Sequence, residues 1–262
     1  MIYLTPEDWN NFFLPKLLQD QKSLDAELKK IKNIYSIMSF INSKIKISNQ
    51  VILSLSMIYF HKYYNQTLIN LINLSPIEKL IICGSCIFIA TKTLNHLIRV
   101  SVIVNIIIDI INKKFPDLKI ESDLIKEKIF QKEFEILQSI GFSTNFDLPY
   151  KFVLKLKNYF EKNTNISSEI IIKTCCQYIS YSFLLPVSLY YTPNTISISC
   201  INIMKEKFNL VDINLNDIIS LSEYKIDLNE LNECYLIINK LYVKEENSNS
   251  ISTSLLSTNV SN

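Results

Sequence analysis

Glycine occurs only twice in this chain of 262 residues, at positions 84 and 141. Rossmann and P-loop enzymes need clustered glycines where the backbone approaches phosphate, and neither nucleotide-binding motif is present. Tight hairpins favour Asn-Gly or Asp-Gly turns, and neither dipeptide occurs. We therefore expect an all-α protein rather than a nucleotide-loop enzyme, a β-sandwich or a β-barrel.

The charges of the chain are nearly balanced, with a net charge of +2 and with basic and acidic residues interleaved. A dedicated nucleic-acid binder carries a broad basic stripe, so we expect no direct nucleic-acid binding. The longest uncharged apolar stretches are Leu80–Ala90 and Val100–Ile108. Both are shorter than the ~20 residues that a membrane-spanning helix needs. We therefore expect no membrane association.

The first residues and the cysteines predict the compartment. Met1–Asn10 already contains Glu7 and Asp8, with no apolar stretch behind them, so we expect no secretory signal. Six cysteines without such a signal are typical of reduced thiols. The expected location is therefore the nucleus, the cytoplasm or both.

Helix-start signals and apolar residues at helical spacing predict most of the secondary structure. Thr5-Pro6-Glu7-Asp8 predicts an N-terminal helix within residues 1–22. Gly141 is expected to end a later helix as its left-handed residue. The helix that Ser75-Pro76 opens is apolar on nearly every side, so we expect it to be a central one. The predicted helices after the first cover about Ser23–Asn42, Asn49–Tyr64 (capped by Ser48), Pro76–Lys92, Arg99–Phe115, Ser122–Ile140 (capped by Ser122) and Asp227–Val243.

The helical pattern begins a second time after a linker near residue 145. Ile166-Ser-Ser-Glu repeats Ile47-Ser-Asn-Gln, and the segment from Pro193 to Cys200 repeats the segment from Pro76 to Cys86. This predicts two copies of one helical unit. The last residues, Glu245–Asn262, are rich in Ser, Asn and Thr with little to bury, so we expect a disordered tail.

Five segments, in this order, resemble motifs of the cyclin family. They are Met57-Ile-Tyr-Phe-His-Lys-Tyr-Tyr64, Cys83-Gly-Ser-Cys-Ile-Phe-Ile-Ala-Thr-Lys92, Glu133-Phe-Glu-Ile-Leu-Gln-Ser-Ile-Gly-Phe142, Asp147-Leu-Pro-Tyr150 and Leu189-Tyr-Tyr-Thr-Pro-Asn194. The last form and the Gly-Phe ending are closest to those of the transcription-type cyclins. The resemblance covers roughly residues 27–242.

The resemblance implies two tandem five-helix cyclin boxes, the first over 23–145 and a divergent second one over 146–244. The N-terminal helix (1–22) precedes them and the tail (245–262) follows. A cyclin is not an enzyme and carries no cofactor or metal. It binds and activates a cyclin-dependent Ser/Thr protein kinase in transcription or cell-cycle control. It does so by packing against the kinase's αC helix, which completes the conditions for phosphoryl transfer.

The resemblance also implies which residues bind the kinase. Lys92 and Glu133 match a family pair that hydrogen-bonds kinase backbone. The residues Ile89, Leu137 and Phe142 match apolar positions that face the kinase. Periodicity alone leaves another interpretation open, with Lys92 as a favourable charge at a helix end, Glu133 as a solvated residue and the apolar three as ordinary core.

The chain departs from the family pattern directly after Lys92, where Thr93-Leu94-Asn95 replaces the usual acid pair. Two alternatives therefore stay open, a cyclin-fold adaptor or scaffold without kinase activation and a core like that of transcription factor IIB. The second would call for a zinc ribbon and basic stripes.

Cys83-Gly-Ser-Cys86 lies inside an apolar helix, which favours close packing over redox or zinc chemistry.

Overall fold

The computed structural model describes residues 21–47, 49–67, 71 and 73–257, and this part of the chain contains twelve helices and no strand. The prediction of an all-α protein is therefore confirmed. The helices are α1 (Gln21–Lys44), α2 (Gln50–Thr67), α3 (Pro76–Thr93), α4 (Val100–Lys114), α5 (Ser122–Ser139), α6 (Tyr150–Lys155), α7 (Lys157–Asn163), α8 (Ser168–Ser182), α9 (Val187–Tyr190), α10 (Pro193–Lys207), α11 (Leu215–Ser220) and α12 (Leu228–Ser257).

The chain divides into two compact units. The first unit extends to Leu148 and also includes Phe183–Tyr190, and the second is formed by Pro149–Ser182 and the chain from Tyr191 onward. The short helix α9 therefore belongs to the first unit although it follows α8 of the second. Within the described residues, no helix combines the length and apolarity that crossing a membrane requires.

Helix α3 is the centre of the first unit and contacts α1, α2, α4 and α5. Twelve consecutive residues, Leu80–Thr91, are buried, so the predicted central helix is confirmed. A capping box starts it, because the Ser75 hydroxyl accepts from the Glu78 N–H at 3.2 Å while the Glu78 carboxylate accepts from the Ser75 N–H at 2.8 Å. A Cβ on Gly84 would lie only 2.8 Å from Ile107 Cδ1, so glycine permits the close approach of α4.

Helix α10 has the same role in the second unit, where it contacts α6, α8, α11 and α12. Thr192 caps it, Pro193 occupies its first turn, and Pro193–Ile201 are buried without interruption. The first helix of this unit is divided into α6 and α7 at Leu156. Both units thus surround one buried helix that begins with a hydroxyl cap followed by proline, as the internal repeat predicts.

Asparagine ends both central helices in the left-handed conformation. Asn95 after α3 has φ of 56° and Asn209 after α10 has φ of 50°. The paired bonds of a Schellman motif close each end, with His96 N–H donating to Thr91 at 2.8 Å and Leu210 N–H donating to Lys205 at 2.9 Å. Asparagine tolerates this conformation better than other residues with a Cβ, which explains how a chain with two glycines ends these helices.

Some predicted helix ends were wrong. Helix α2 is capped by Asn49, whose side-chain oxygen accepts from Ile52 N–H at 2.8 Å, and Ser48 lies outside the described residues. Ser122 is the first residue of α5 rather than its cap, a position taken by Glu121 without a side-chain bond.

Most of the predicted tail lies within the described residues, whereas most of the predicted N-terminal helix lies outside them. Helix α12 continues to Ser257, so most of the predicted disordered tail is helical. Neither proline nor glycine occurs after Val243 to stop it. The predicted N-terminal helix of residues 1–22 lies outside the described residues, except that 21 and 22 begin α1.

Candidate protein-interaction site

An ion pair joins the end of α3 to the middle of α5. The Lys92 ammonium lies 2.6 Å from Glu133 Oε1, with side-chain exposures of 43% and 12%. The same ammonium lies 4.0 Å from the centre of the Phe88 ring, a favourable cation–π contact. Two residues separated by 41 positions are thus fixed on one side of the first unit.

Glu133 occupies a position where an apolar residue would be expected. The buried residues of α5 are Ile125, Ile129, Glu133 and Ile136, spaced by three or four positions along one face. A buried carboxylate is costly unless a charge or donor compensates it, and Lys92 supplies both. The interpretation of Glu133 as a solvated helix residue is therefore wrong.

Both members of the pair retain hydrogen-bonding capacity. An ammonium has three N–H donors and a carboxylate has two acceptor oxygens. In the described part of the chain, the bond between Lys92 and Glu133 Oε1 is the one hydrogen bond that either side chain makes. The remaining donors and the second oxygen are suited to the backbone groups of another protein.

An exposed row of aromatic rings lies beside the pair. Phe134 and Phe142 are 59% and 60% exposed, and their ring centres are 6.1 Å apart in an edge-to-face arrangement. Phe130, one turn before Phe134, is also exposed and contacts Phe88 with ring centres 6.3 Å apart. These three residues, Phe130, Phe134 and Phe142, are called the aromatic row below.

Backbone geometry fixes Phe142 at the end of the row. Gly141 and Phe142 have φ of 61° and 55°, so both are left-handed. Phe142 N–H donates to Leu137 at 2.8 Å and Gly141 N–H donates to Gln138 at 3.1 Å, which completes a Schellman motif. A left-handed aromatic residue costs about 1 kcal/mol or more, and here it leaves the ring in solvent. The predicted role of Gly141 as the left-handed residue that ends the helix is confirmed.

The other two apolar residues that the resemblance assigned to a partner differ in exposure. Leu137 is half-buried next to the aromatic row. Ile89 is only 2% exposed and is buried in α3, so the assignment of Ile89 to the surface is wrong. Because α3 is covered on all sides from Leu80 to Thr91, exposure of this helix begins only with Lys92.

Sequence reasoning missed Phe130 and Phe134, because it did not distinguish them from the other apolar residues of this helix. The buried residues of α5 follow the series 125, 129, 133 and 136, whereas the phenylalanines stand one position after two of its members. This one-position offset between the phenylalanines and the buried residues is the sequence signal that could have identified the phenylalanines as exposed. It became informative only once Glu133 was placed on the buried face.

The segment after Phe142 is held by Tyr59 of α2. The Tyr59 hydroxyl donates to the Thr144 carbonyl at 2.8 Å and lies 2.9 Å from the Thr93 hydroxyl. Burial is the main cause that raises the pKa of Tyr59 to about 12, so the phenol stays protonated. Phe146 packs edge-on against the Tyr59 ring, and the Lys62 ammonium lies 4.1 Å from the centre of the Phe146 ring. Thr93, which replaces an acid of the family pattern, thus forms a hydrogen bond within the first unit.

His61 and the Cys83-Gly-Ser-Cys86 motif belong to the core. His61 is 1% exposed, and its Nε2 lies 2.9 Å from the Phe183 carbonyl of the same unit. Burial lowers the pKa of His61 to about 4, so the neutral ring donates to that carbonyl. Cys83 and Cys86 are fully buried and burial raises the pKa of both thiols, which makes them unreactive. The prediction of close packing at this motif is confirmed.

No protein-family model matches the chain, and no curated protein matches it in sequence. Solved structures do resemble it, and the three described below match through their cyclin subunits. One belongs to the yeast RNA Pol II CTD kinase CTDK-1 complex, with a TM-score of 0.67, 16% identity and coverage of 86% of this chain and 67% of that chain. The chain has a cyclin fold.

Two further structures support the cyclin fold. A chain of the yeast TFIIK (Kin28/Ccl1/Tfb3) complex matches with a TM-score of 0.59 and 19% identity, over 91% of this chain and 96% of that one. The CAK complex of Chaetomium thermophilum bound to ATP-gamma-S contains a chain that matches with a TM-score of 0.51 and 12% identity, over 82% and 64%. The two units are therefore cyclin boxes, with α3 and α10 as their central helices.

Proposed function

We propose that this cyclin-fold chain is a regulatory subunit that binds and activates a cyclin-dependent-type Ser/Thr protein kinase. The observation that carries the proposal is the Lys92–Glu133 pair, which keeps unused hydrogen-bonding capacity beside three exposed aromatic rings. The family resemblance assigned a kinase-binding role to Lys92, Glu133, Leu137 and Phe142. Lys92 lies at the end of α3 and is bonded to Glu133 in the middle of α5, while Leu137 and Phe142 lie in the last turn of α5 and just after it.

The aromatic row and the ion pair would make different contributions to binding. Burying Phe134 and Phe142 against a kinase would supply most of the binding free energy, since aromatic residues dominate interface energetics. The ion pair would fix the register, because a partner that leaves either group desolvated and unpaired loses about 3–5 kcal/mol. A kinase αC helix held in one register keeps its Lys–Glu ion pair formed, which phosphoryl transfer requires.

The known complexes support transcription as the process. Three structures that resemble this chain are a CTD kinase complex of RNA Pol II, the TFIIK complex and a CAK complex. By analogy with them, the proposed location is the nucleus. The chain would supply no catalytic group, and its effect on phosphorylation would come from the conformation of the kinase it binds.

The structure offers less support for the two alternatives. An adaptor without a kinase would gain from this carboxylate only its structural link to Lys92, whereas isoleucine occupies the neighbouring buried positions of α5. A core like that of transcription factor IIB would bind DNA, and the net charge of +2 supplies little attraction for phosphates. Kinase regulation uses both the pair and the aromatic row.

The experiment is affinity purification of the tagged chain from the cells that produce it, with wild type compared with Glu133→Ala. We expect the wild-type chain to recover a cyclin-dependent-type kinase and the variant to recover much less. The matched control is Glu135→Ala, which removes the carboxylate of the neighbouring Lys132–Glu135 ion pair on the same helix. At 100° per residue, Glu135 lies well away from the aromatic row. Recovery of no kinase with wild type would refute the proposal.

A further inference from the structure

Hydrogen bonds through the Tyr59 hydroxyl connect the two parts of the chain that carry the proposed kinase-binding residues. Tyr59 donates to the Thr144 carbonyl at 2.8 Å, two residues after Phe142. The Thr93 hydroxyl, directly after Lys92, lies 2.9 Å from the same phenol oxygen. Since the single phenol proton goes to Thr144, Thr93 is the donor in its bond to Tyr59. These three residues, Tyr59, Thr93 and Thr144, are called the Tyr59 bridge below.

The segment that follows α5, residues 144–148, depends on Tyr59 for its attachment. Within the described part of the chain, none of its backbone N–H groups donates to a backbone carbonyl, and the bond from Tyr59 is the one that its own carbonyls accept. Its aromatic contact also involves Tyr59, because the Phe146 ring packs edge-on against the Tyr59 ring with centres 5.8 Å apart. Tyr59 is therefore the main polar and aromatic support of this segment.

Backbone strain makes this support important for Phe142. Phe142 is left-handed, with φ of 55°, and its ring is 60% exposed, so the contacts of the ring itself hold it weakly. A residue persists in such a conformation only where the surrounding structure fixes it. Tyr59 is 0% exposed and lies in the core of the first unit, so it is a rigid support for the chain just beyond Phe142.

We propose that Tyr59 is a positioning residue, which holds Phe142 at the place relative to Lys92 where one kinase surface meets both. This inference rests on the proposed kinase regulation and adds to it a buried residue that touches no partner. A preorganised binding surface binds more tightly because its groups lose less conformational freedom in the complex. Without the Tyr59 bridge, Phe142 has to be ordered by the kinase itself, and part of the binding free energy is lost.

The first test compares two hydroxyl deletions on α2. Tyr59→Phe removes the hydroxyl of the bridge and keeps the ring. The matched control, Tyr63→Phe, removes a hydroxyl one turn later that bonds to Lys132 and Glu135 instead. Affinity for the kinase that the wild-type chain recovers is measured by biolayer interferometry. We expect Tyr59→Phe to weaken binding by about fivefold, as for the loss of one hydrogen bond, and Tyr63→Phe to stay within about twofold of wild type.

A positioning role acts through Phe142, whereas a general loss of structure does not. In a Phe142→Ala background, Tyr59→Phe should have little further effect on kinase affinity, because the ring that it positions is absent. In a Phe130→Ala background the loss of about fivefold should persist, since Phe130 lies at the other end of the aromatic row and outside the supported segment.

Amide hydrogen exchange measures the positioning without a kinase. The Phe142 and Ser143 N–H groups donate to Leu137 and Ile140 at 2.8 and 3.2 Å, so their exchange reports opening of the chain at the end of α5. Tyr59→Phe should speed exchange at both amides by about fivefold or more, as for the loss of one hydrogen bond. The buried amides of α3 should exchange as in wild type, which shows that the effect is local.

The order of donors in the Tyr59 bridge makes Thr93 informative as well. Thr93→Asp supplies a carboxylate that can only accept, so it competes with the Thr144 carbonyl for the single phenol proton. This variant should speed exchange at Phe142 and Ser143 as Tyr59→Phe does. Thr93→Val removes the hydroxyl but leaves the phenol proton with Thr144, so its exchange should stay close to that of wild type.

Several results would overturn the proposal. Wild-type exchange at Phe142 in Tyr59→Phe would mean that other contacts hold the segment, and faster exchange with unchanged kinase affinity would mean that its position does not matter for binding. Equal affinity losses in Tyr59→Phe and Tyr63→Phe, or an undiminished loss in the Phe142→Ala background, would mean a general structural effect. If the wild-type chain recovers no kinase, the proposed function fails, whereas the exchange rates still decide whether Tyr59 positions Phe142.

Discussion

The Lys92 ammonium and the Glu133 carboxylate are 2.6 Å apart, and they place an ion pair at the boundary between the core of the first cyclin box and its surface. Glu133 belongs to the buried face of α5, whereas 43% of the Lys92 side chain is exposed. An ion pair in this position is both a structural link between α3 and α5 and a polar feature that a partner can reach.

A double-mutant cycle measures that structural link. Since Lys92 is solvated, we expect a coupling free energy of only about 1 kcal/mol between Lys92→Ala and Glu133→Ala in urea unfolding. The Lys157–Glu161 pair at i and i+4 on α7, with both side chains about half exposed, is the control and should give about 0.5 kcal/mol or less. Additive effects at Lys92 and Glu133 would show that the two charges do not interact in solution.

The aromatic row is expected to contribute to binding without contributing much to stability. Phe134→Ala and Phe142→Ala should each weaken kinase binding by about tenfold or more, since exposed aromatic anchors form interface hot spots. Their thermal unfolding should stay close to that of wild type because both rings are mostly in solvent. Leu124→Ala, an exposed apolar residue elsewhere on α5, is the control. If Leu124→Ala weakens binding equally, the assigned surface is wrong.

The backbone at Gly141 permits a test of the helix end. Gly141 has φ of 61° and nothing within 4 Å of an added Cβ, so a substitution there changes backbone strain alone. We expect Gly141→Ala to reduce the free energy of unfolding by about 1 kcal/mol. Gly141→Asn should cost less, because Asn95 and Asn209 adopt the same conformation in this chain. Equal losses in chemical denaturation would contradict this explanation.

The stability of the chain should fall in mild acid because of His61. Its pKa is about 4 in the folded chain and about 6.5 when unfolded, so below pH 6.5 the unfolded chain binds a proton that the folded chain does not. This stability is fully present above pH 6.5 and is lost as the pH falls toward 4, with about 2 kcal/mol lost at pH 5.

Urea unfolding between pH 7 and pH 5 measures this effect. His61→Gln should be less dependent on pH over that range, since glutamine donates to the Phe183 carbonyl without titrating. His96→Gln, which changes the other histidine, should keep the wild-type dependence. A wild-type dependence that survives in His61→Gln would assign the effect to another group.

The sequence predicted the helices and their central member well because those features depend on local signals. Ser75-Pro76 and the apolar residues of α3 act within one helix, so reading them requires no knowledge of neighbouring helices. The ends at Asn95 and Asn209 were missed because asparagine is common in this chain and only the backbone shows which ones are left-handed.

The candidate site was predicted only in part, since its exposure depends on how helices pack. Lys92 and Glu133 were found through the family resemblance, but periodicity alone placed Glu133 in solvent. Ile89 was assigned to the kinase-facing surface although neighbouring helices cover α3 there, and Phe130 and Phe134 were not distinguished from the buried apolar residues of α5. Each error concerns which side of a helix its neighbours cover. Sequence spacing shows which residues share a side of the helix, but it does not show which side is covered.

The most direct test of kinase regulation is the phosphorylation rate of the recovered kinase, measured alone, with the wild-type chain, and with the Lys92→Ala/Glu133→Ala double variant. The account predicts a rate increase of at least about tenfold with the wild-type chain and most of that increase lost with the double variant. The Lys132→Ala/Glu135→Ala variant should activate like wild type. An unchanged kinase rate with the wild-type chain, or full activation by the Lys92→Ala/Glu133→Ala variant, would contradict it.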